Sequence, residues 1–405
     1  MKILARLGCA GAKVTAGLGA AVTAGAVLAT AGGALAGPAS AATGVAATTA
    51  AATTTAAAQG TQAAGTVFVQ TDNLAGNQVV AYDRAAGGQL TLAGTYDTGG
   101  LGGQLTGSVV DHLASQGSLG YDPARGLLYA VNAGSNTVSV FAVRGDRLQL
   151  RQVVGSGGAF PVSVAVRGGL VYVLNALNGG SVQGYYVVSG RLVPIPGSSR
   201  PLGLDPNATP QFTTTPGQVA FSPDGTQLIV TTKDNTNAID VFGVRAGGRL
   251  SAQPVVNSEP GTVPFAITFD PAGHLVIADA GTNALSTFAL SPDGTVTLLD
   301  AVGTGQSATC WVVPDGGLLF ASNAGSATIS GYSSGPGGAL TLLGQTPTDP
   351  GTVDAAVTPG GHFLYVQTGG NGVVDEFAVG PGGSLAEVGH VTVAGAVGGE
   401  GIVAA

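Results

Sequence analysis

Charged residues are scarce in this 405-residue sequence, where Asp, Glu, Lys and Arg together make up 9%. Beyond residue 41 there are 11 Lys and Arg against 22 Asp and Glu, which gives a net charge of −11. No Lys or Arg follows Arg249. A surface this acidic repels phosphate backbones and anionic lipids, so we expect neither nucleic acid nor an anionic membrane as a partner.

Cysteine is also scarce, since Cys9 and Cys310 are the only two in the sequence. Two cysteines exclude a framework of several disulfides, so we expect stability to come from the core and from closure of the fold. No His, Cys or Asp cluster has the spacing of metal ligands, and no glycine-rich run has the strand–helix context of a phosphate loop. We therefore predict no metal and no cofactor.

The first 41 residues have the pattern of a secretory signal peptide. Basic residues precede the small and apolar run Val14–Ala36, and Ala39-Ser40-Ala41 supplies a cleavage site. An uncleaved membrane anchor is the alternative, and it is the weaker one because Ala and Gly partition poorly into lipid. Residues 42–64 form an Ala- and Thr-rich linker that we expect to be disordered. The sequence thus predicts a secreted protein with one folded domain, residues 65–405.

A repeat fills this domain. Each unit has four short apolar strands separated by Gly-, Pro- and Asp-rich turns, and Gly217–Ala252 and Ala355–Val388 are two clear copies. Seven such units of about 45 residues predict an all-β, seven-bladed β-propeller with four-stranded blades. Their second strands end at Thr71, Asn132, Asn175, Thr232, Asp279, Asn323 and Thr368.

The two ends of the repeat complement each other. The first unit, Thr66–Tyr96, contains strands two to four only, and Glu400–Ala404 resembles a first strand with nothing after it. We expect these segments to pair and to complete one blade from both termini. Such a blade closes the ring and leaves no free sheet edge.

Four motifs of the repeat resemble those of a known family. They are Leu128–Asn132, Ser135–Phe141, Ser222–Gly225 and Gly338–Leu342. The sequence is similar, through these motifs, to the seven-bladed lactonase family, which includes propeller 6-phosphogluconolactonases and is related to the Tyr-Val-Thr-Asn repeat propellers. The resemblance covers nearly all of Thr66–Ala405 and implies the propeller fold, whereas activity has to be argued from a site.

The catalytic residues that this resemblance implies are replaced. The family pattern places Arg and His at the starts of inner strands and an acidic residue after a second strand. The matching positions here hold Gly217 for the Arg, Gln218 and Ser163 for the two His, and Thr232 or Lys233 for the acid. We therefore expect no 6-phosphogluconolactonase activity.

The starts of the seven inner strands should form a ring at one mouth of the central channel. This ring combines hydroxyl, amide, acid, thiol and aromatic groups, which suits a small neutral or cationic polar ligand. The alternative is a plugged channel in which these polar groups satisfy one another. The predicted ligand-binding residues are Asp111, Ser118, Ser163, Gln218, Phe265, Cys310 and Trp311.

Two insertions, Gly99–Leu113 and Pro194–Thr215, interrupt the repeat between an outermost strand and the next inner strand. Both should therefore emerge at the same mouth, and long loops in a compact fold are often functional. Asp111 and His112 in the first insertion are adjacent, a pairing that more often anchors a loop than performs acid–base catalysis. The candidate catalytic residues at this mouth are His112, Asp354 and Glu400.

Two functions remain open from the sequence. The first is a secreted, monomeric binding propeller that holds a small polar ligand or a cell-envelope component at the mouth covered by the insertions. The second is a lactonase- or cyclase-type hydrolase with replaced catalytic groups. Loss of the family's Arg and His favours the first, and a histidine on an insertion supports the second.

Overall fold

The computed structural model describes residues 64–405, so the predicted signal peptide and nearly all of the predicted linker lie outside the described residues. Residues 64–405 form a seven-bladed β-propeller with four-stranded antiparallel blades, as the repeat predicts. Every helix in this range is too short or too polar to cross a bilayer.

Each blade is a meander in which consecutive strands pair antiparallel. Blade 1 contains β1 (Gly65–Gln70), β2 (Gln78–Arg84) and β3 (Leu90–Asp97), and blade 2 contains β4 (Leu119–Asp122), β5 (Leu127–Asn132), β6 (Thr137–Arg144) and β7 (Arg147–Gly155). Blade 3 contains β8 (Pro161–Arg167), β9 (Leu170–Asn175), β10 (Ser181–Val188), β11 (Arg191–Pro194) and the short β12 (Arg200–Pro201). Blade 4 contains β13 (Val219–Phe221), β14 (Gln227–Thr231), β15 (Ala238–Gly243) and β16 (Val255–Ser258).

Blades 5 to 7 follow the same plan. Blade 5 contains β17 (Pro264–Phe269), β18 (Leu275–Asp279), β19 (Ala284–Leu290) and β20 (Val296–Gly303), and blade 6 contains β21 (Thr309–Asp315), β22 (Leu318–Asn323), β23 (Thr328–Ser334) and β24 (Leu340–Pro347). Blade 7 contains β25 (Thr352–Val357), β26 (Phe363–Thr368), β27 (Val373–Val379) and β28 (Leu385–Thr392). The last strand in the chain is β29 (Ile402–Ala404). Two single-turn helices are α1 (Gln211–Thr214) and α2 (Lys233–Thr236), and short 3-10 turns span Ala133–Ser135, Ala246–Gly248, Pro336–Gly338 and Pro381–Gly383.

The last strand lies in the first blade. β29 pairs antiparallel with β1, with Ala404 opposite Val67 and Ile402 opposite Val69. The inner strands contact one another in the order β29, β4, β8, β13, β17, β21, β25 and again β29. How far this pairing supports the stability of the ring stays a prediction.

The second strand of each blade is the most deeply buried. All residues of β5 are buried, as are all those of β14, because neighbouring blades cover both faces of the strand. A strand covered on both faces has no polar side to present, which explains the near-continuous apolar sequence. Outer strands such as β7 alternate between partly buried and exposed residues, as expected for a strand with one solvated face.

Asparagines in left-handed turns link neighbouring blades. Asn136, Asn237 and Asn283 precede third strands with φ of 55°, 48° and 53°, a conformation that Asn tolerates better than most residues. Their Oδ1 atoms accept the backbone N–H of a residue at the start of the next blade's inner strand. The donors are Phe160 at 2.7 Å, Val263 at 3.0 Å and Thr309 at 3.3 Å.

The starts of four inner strands are irregular. The register with the second strand shifts between Pro161 and Ser163 in blade 3, and at the equivalent place in blades 5, 6 and 7. A bulge redirects the side chains around it. Strict alternation therefore does not describe which side chains face the channel at the predicted ring positions, including Cys310 and Asp354.

Candidate functional site

In the structure each insertion extends over the whole loop that contains it. The first insertion is then residues 98–118, between β3 and β4, and it lies against the starts of the inner strands. Ser115 Oγ donates to Val162 O at 2.9 Å in blade 3. Gln116 reaches blade 6, where its side-chain amide both donates to and accepts from the backbone of Val312 at 3.0 Å. The backbone N–H of Gln116 donates to Gly217 O, just before the inner strand of blade 4, at 3.2 Å. The insertion therefore contacts blades 3 and 6 and the segment that leads into blade 4.

The second insertion, residues 195–218 between β11 and β13, contacts the first one. The Thr106 N–H donates to Gln211 Oε1 at 2.8 Å. Leu105 of the first insertion and Phe212 of the second are buried in the same hydrophobic cluster. Both insertions thus lie on one face of the disc, as their common place in the repeat requires.

Lys233, the lysine at the start of α2, is buried between the two insertions with 1% of its surface exposed. Its Nζ lies 5.2 Å from the centre of the Phe265 ring, a cation–π distance. Burial lowers the pKa of Lys233 to about 7, and the Asp111 carboxyl opposes that shift. Nζ donates to Ala114 O at 2.7 Å, Phe212 O at 2.7 Å and Thr215 Oγ1 at 3.1 Å.

Asp111 anchors the first insertion. Its carboxylate accepts three backbone N–H groups, and burial raises its pKa in spite of these bonds. The carboxylate makes no hydrogen bond to the neighbouring His112 within residues 64–405, so the two residues do not form an acid–base pair in this conformation. The donors are Leu113 and Ala114 at 2.8 Å and Ser115 at 2.9 Å.

His112 packs against the C-terminal segment. Its backbone N–H donates to Gly398 O at 2.8 Å, and the ring lies so close to Gly398 that a Cβ at this glycine would clash with it. Burial lowers the pKa of His112, and its Nδ1 is buried without a hydrogen-bond partner. Within the described range, the imidazole makes no hydrogen bond to either Asp354 or Glu400.

Glu400 lies at the centre of a buried group of carboxyls, and its own side chain is completely buried. Its Oε1 accepts the N–H of Gly117 at 2.7 Å, and its backbone N–H donates to Asp72 Oδ2 at 2.8 Å. Within residues 64–405 its Oε2 receives no N–H and no hydroxyl donor, and its partner is the neighbouring carboxyl of Asp354, with which it shares a proton when one of the two is protonated.

Burial dominates the electrostatics of this group, which we call the carboxyl cluster: Asp72, Asp111, Asp354 and Glu400. Burial raises the pKa of Asp72 to about 7 and that of Asp354 well above its ordinary range. The pKa of Glu400 is raised first by burial and then by repulsion from the other three carboxyls. Within residues 64–405, Lys233 is the one cation that acts on the cluster, through Asp111, so the carboxyls keep their protons to higher pH than free carboxyls do.

Three of the predicted ring residues bond to a neighbouring blade. Ser118 Oγ donates to Glu400 O at 2.7 Å, which joins blades 2 and 1. Ser163 Oγ accepts the Val219 N–H at 3.3 Å, and Gln218 Oε1 accepts the Ile267 N–H at 2.5 Å. These side chains hold adjacent inner strands together, whatever else they contact.

The predicted aromatic residues are covered. Phe265 and Trp311 are each 1% exposed and meet edge to face, with ring centres 5.1 Å apart. Trp311 Nε1 donates to Ser115 O of the first insertion at 2.7 Å. Cys310 is completely buried in the same hydrophobic cluster. The first insertion thus covers this pair of rings.

Asp72 and Lys233 were not among the sequence-predicted site residues, although the repeat contains a signal for them. Both come directly after the end of a second strand, with φ of 52° and 50°. The other blades have a small residue at this position, so a charged residue there is the sequence signal for the buried charged site. The other five blades hold Ala133, Ala176, Ala280, Ala324 and Gly369 there.

Two further buried oxygens lie beside the carboxyl cluster. Gln70 donates through Nε2 to Asp72, and Gln367 donates through Nε2 to Gln70 O at 3.1 Å. The Oε1 atoms of both glutamines are buried without a donor. No group of three His, Cys, Asp or Glu within residues 64–405 has an arrangement that could hold a metal ion. The site therefore offers unpaired acceptors for hydrogen-bond donors.

No family model matches this sequence, and no curated protein matches it at a significant level. Solved structures do match. A proposed 6-phosphogluconolactonase from Bacteroides fragilis superposes with a TM-score of 0.64 at 18% identity, over 85% of this chain and 99% of that one. The Pseudomonas aeruginosa periplasmic gluconolactonase PpgL superposes with a TM-score of 0.66 at 19% identity, over 84% of this chain and 98% of that one.

A third solved structure matches over a similar share of the chain. A proposed 6-phosphogluconolactonase from Bacteroides uniformis has a TM-score of 0.66 at 19% identity and covers 85% of this chain and all of its own. Identities this low establish the fold and carry no activity across. The chain has the lactonase-like seven-bladed propeller fold.

Proposed function

We propose that the protein is a secreted binding propeller. Its ligand is a small neutral or cationic polar molecule, or the polar end of a cell-envelope component, held at the mouth beneath the two insertions. The observation that supports this proposal is a pair of buried acceptor oxygens beside the carboxyl cluster that have no donor among residues 64–405: Gln70 Oε1 and Gln367 Oε1.

The chemistry of these oxygens selects the ligand class. A buried acceptor without a donor costs about 1–3 kcal/mol, so a ligand that supplies hydroxyl or ammonium protons gains that energy on binding. Four carboxyls against Lys233 also leave an excess of acid in the site. An anionic ligand such as a sugar phosphate is disfavoured there, because it adds like charge to a buried acidic site.

Binding requires the first insertion to open. Asp111, Asp354 and Glu400 are at most 3% exposed while this loop is in place. Opening breaks the contacts of Ser115 and Gln116 with the inner strands. We therefore expect slow association, since loop motions that break several hydrogen bonds take place on timescales of microseconds or longer.

A hydrolase is the second candidate, and the Asp354–Glu400 pair favours it. Two neighbouring carboxyls that both have raised pKa values can act as acid and base near neutral pH. His112 contributes no hydrogen bond to this pair. Turnover of a lactone that is lost in Asp354→Asn would establish the hydrolase and displace the binding protein as the function.

Calorimetric titration of the mature protein tests the binding proposal, with glucosamine, choline, myo-inositol and gluconolactone as probes. We expect one of the polyol or amine probes to bind. Glu400→Gln and Gln218→Ala should weaken that binding at least about tenfold, which corresponds to 1.4 kcal/mol. Thermal unfolding of each variant checks that it is folded.

Gln149→Ala is the matched control, because Gln149 is exposed on an outer strand of blade 2. It should bind the probe as tightly as the unmodified protein. His112→Ala should weaken binding only if the ligand reaches the first insertion. Absence of binding by all four probes, or binding that Glu400→Gln and Gln218→Ala leave unchanged, would contradict the proposal.

A further inference from the structure

The hairpin face of the disc lies opposite the two insertions. It is formed by the turns between first and second strands and between third and fourth strands of each blade. In blades 2, 3 and 4 these turns carry a concentration of arginines, and every one of them is exposed. They are Arg125, Arg144, Arg147, Arg167, Arg191, Arg245 and Arg249.

Most of these arginines have no ionic partner. Arg125 pairs with Asp122 at 3.2 Å, and the other six have no carboxylate within 4.0 Å among residues 64–405. Carboxylates are few on this part of the face, which has seven arginines and three acidic residues. The acids are Asp122, the half-buried Asp146, and Asp224, which accepts hydrogen bonds from Ser222 and Thr226.

The hairpin turns that carry these arginines contact one another from blade to blade. The guanidinium of Arg125 in blade 2 lies against Gly169 in the inner hairpin of blade 3, and that of Arg167 in blade 3 lies against Gly225 of blade 4. Further out, Tyr186 Oη of blade 3 donates to the Gly247 carbonyl in the outer hairpin of blade 4 at 2.6 Å. We call this surface the arginine arc.

The hairpin turns of blades 5, 6 and 7 lack such cations. They contain no Lys or Arg, and the exposed Asp293 and the half-buried Asp315 lie in or beside them, whereas Asp270 is buried against His274. Residues 64–405, which carry a net charge of −11, thus place unpaired cations on one part of one face. Such segregation is not needed for solubility, since mixed surface charge serves that purpose equally well.

We propose that the arginine arc binds a linear anionic polymer that carries phosphate or carboxylate groups along its length. The planar guanidinium donates two parallel hydrogen bonds to either group, which suits arginine better than lysine for this task. This surface and its ligand are separate from the mouth beneath the insertions, so the inference does not depend on the proposed function.

A flexible polymer fits the arc better than a membrane or a nucleic acid does. A planar anionic membrane would also face the carboxylates of blades 5 to 7, whereas a chain can follow the arc alone. Val188 is the one large apolar side chain in the hairpin turns of blades 2 to 4 that is strongly exposed. None of the aromatic side chains in residues 64–405 is exposed, so no platform for base stacking is present.

The test titrates the mature protein with long-chain inorganic polyphosphate and with polygalacturonate at low and physiological salt. Arg144→Gln, Arg147→Gln and Arg191→Gln are combined in one variant. We expect this triple variant to bind polyphosphate at least about tenfold more weakly and to show a smaller salt dependence, because fewer counterions are released per bound protein.

A second triple variant makes the same change in net charge away from the arc. It combines Thr297→Glu, Thr341→Glu and Ala386→Glu, all at exposed positions on the outer strands of blades 5 to 7. We expect it to retain most of the affinity for polyphosphate. Equal weakening in both triple variants would overturn the proposal, since net charge alone would then explain the binding.

Competing partners provide the remaining outcomes. Vesicles of phosphatidylglycerol, or a single-stranded oligonucleotide, that bind more tightly than both polymers would overturn the assignment to a flexible polymer. Glu400→Gln should leave polyphosphate binding unchanged, and the arginine variant should leave the small-molecule probes unchanged. Failure at one surface is therefore distinguishable from failure at the other.

Discussion

Lys233 donates hydrogen bonds to both insertions, through the carbonyls of Ala114 and Phe212. Lys233→Met leaves the carbonyls of Ala114 and Phe212 without a donor and removes the cation that acts on Asp111. We expect a loss of about 3 kcal/mol or more in the free energy of unfolding, because several buried polar groups lose their partner at once. Urea denaturation measures this loss.

Arg151→Met is the control for that substitution, since Arg151 is exposed on an outer strand. It should change the free energy of unfolding by no more than about 0.5 kcal/mol. Limited proteolysis of Lys233→Met should also cut faster within residues 98–118 than in the unmodified protein. Equal stability of Lys233→Met and Arg151→Met would show that the lysine does not hold the insertions.

The carboxyl cluster makes a pH dependence expected. The folded-state pKa of Asp72, about 7, lies above its value of about 3.9 in the unfolded chain, so the folded state binds more protons between these values. Stability therefore falls as the pH rises from about 4 to about 7. Lys233 acts in the opposite sense, and only above about pH 7, because its folded-state pKa is lowered.

Glu400→Gln isolates this effect. The glutamine cannot ionise, and its amide can donate to Asp354 at every pH. We expect the melting temperature of the unmodified protein to fall between pH 5 and pH 7, and the fall to be smaller in Glu400→Gln. Asp83→Asn, at a half-exposed site, should leave the fall unchanged. A fall of the same size in all three proteins would contradict the role of the cluster.

At the level of secondary structure, the left-handed asparagine turns connect each blade to the next. Asn237→Gly keeps the backbone conformation and removes the hydrogen bond to Val263 N–H, so we expect a loss of about 1 kcal/mol. Asn237→Ala removes the same bond and also places an alanine at φ of 48°, which costs about 1 kcal/mol more. Urea denaturation of both variants should give the order Asn, Gly, Ala from most to least stable.

Each variant of that pair is the control for the other. If Asn237→Ala were as stable as Asn237→Gly, the left-handed backbone conformation at this position would not disfavour alanine. If both were as stable as the unmodified protein, the bond between blades would contribute nothing. Val263 itself has φ of 52°, an unusual conformation for a β-branched residue. We expect its hydrogen bond to Asn237 to help hold this conformation.

For the whole molecule, closure of the ring is the property to test. Deleting residues 398–405 removes β29 and exposes the edge of β1, so we expect aggregation or a large fall in melting temperature. Adding the missing segment as a synthetic peptide should restore part of the loss. A truncated protein that melts within about one or two degrees of the full chain would refute the closure argument.

The activity of the fold's best-known enzymes is not expected here. Gly217 and Gln218 stand where the family resemblance implies Arg and His, and Gln218 is engaged with Ile267 of the next blade. Purified mature protein should hydrolyse 6-phosphogluconolactone no faster than buffer does. Turnover above roughly 1 per second, within the usual range of enzymes, would show that the catalytic groups lie elsewhere.

Much of the fold could be read from local sequence. Four of the six intervals between the strand ends Thr71 to Thr368 span 43 to 47 residues, and the two longer ones contain the insertions. Asp- and Gly-rich turns separate the short apolar strands. These features are local, because the apolar pattern of a strand and the backbone conformation of a turn depend on a few adjacent residues. The number of blades, the strand order and the place of the two insertions follow from that repetition.

The composition of the carboxyl cluster was decided by tertiary contacts. Lys233 bonds to a carbonyl 119 residues away, and Glu400 bonds to Asp72 across 328 residues. Bulges at the starts of inner strands also redirect side chains that a period of two would place elsewhere. Periodicity within a repeat carries no information about contacts between repeats, so the pairing of charges in the centre of the ring depends on how the seven blades meet.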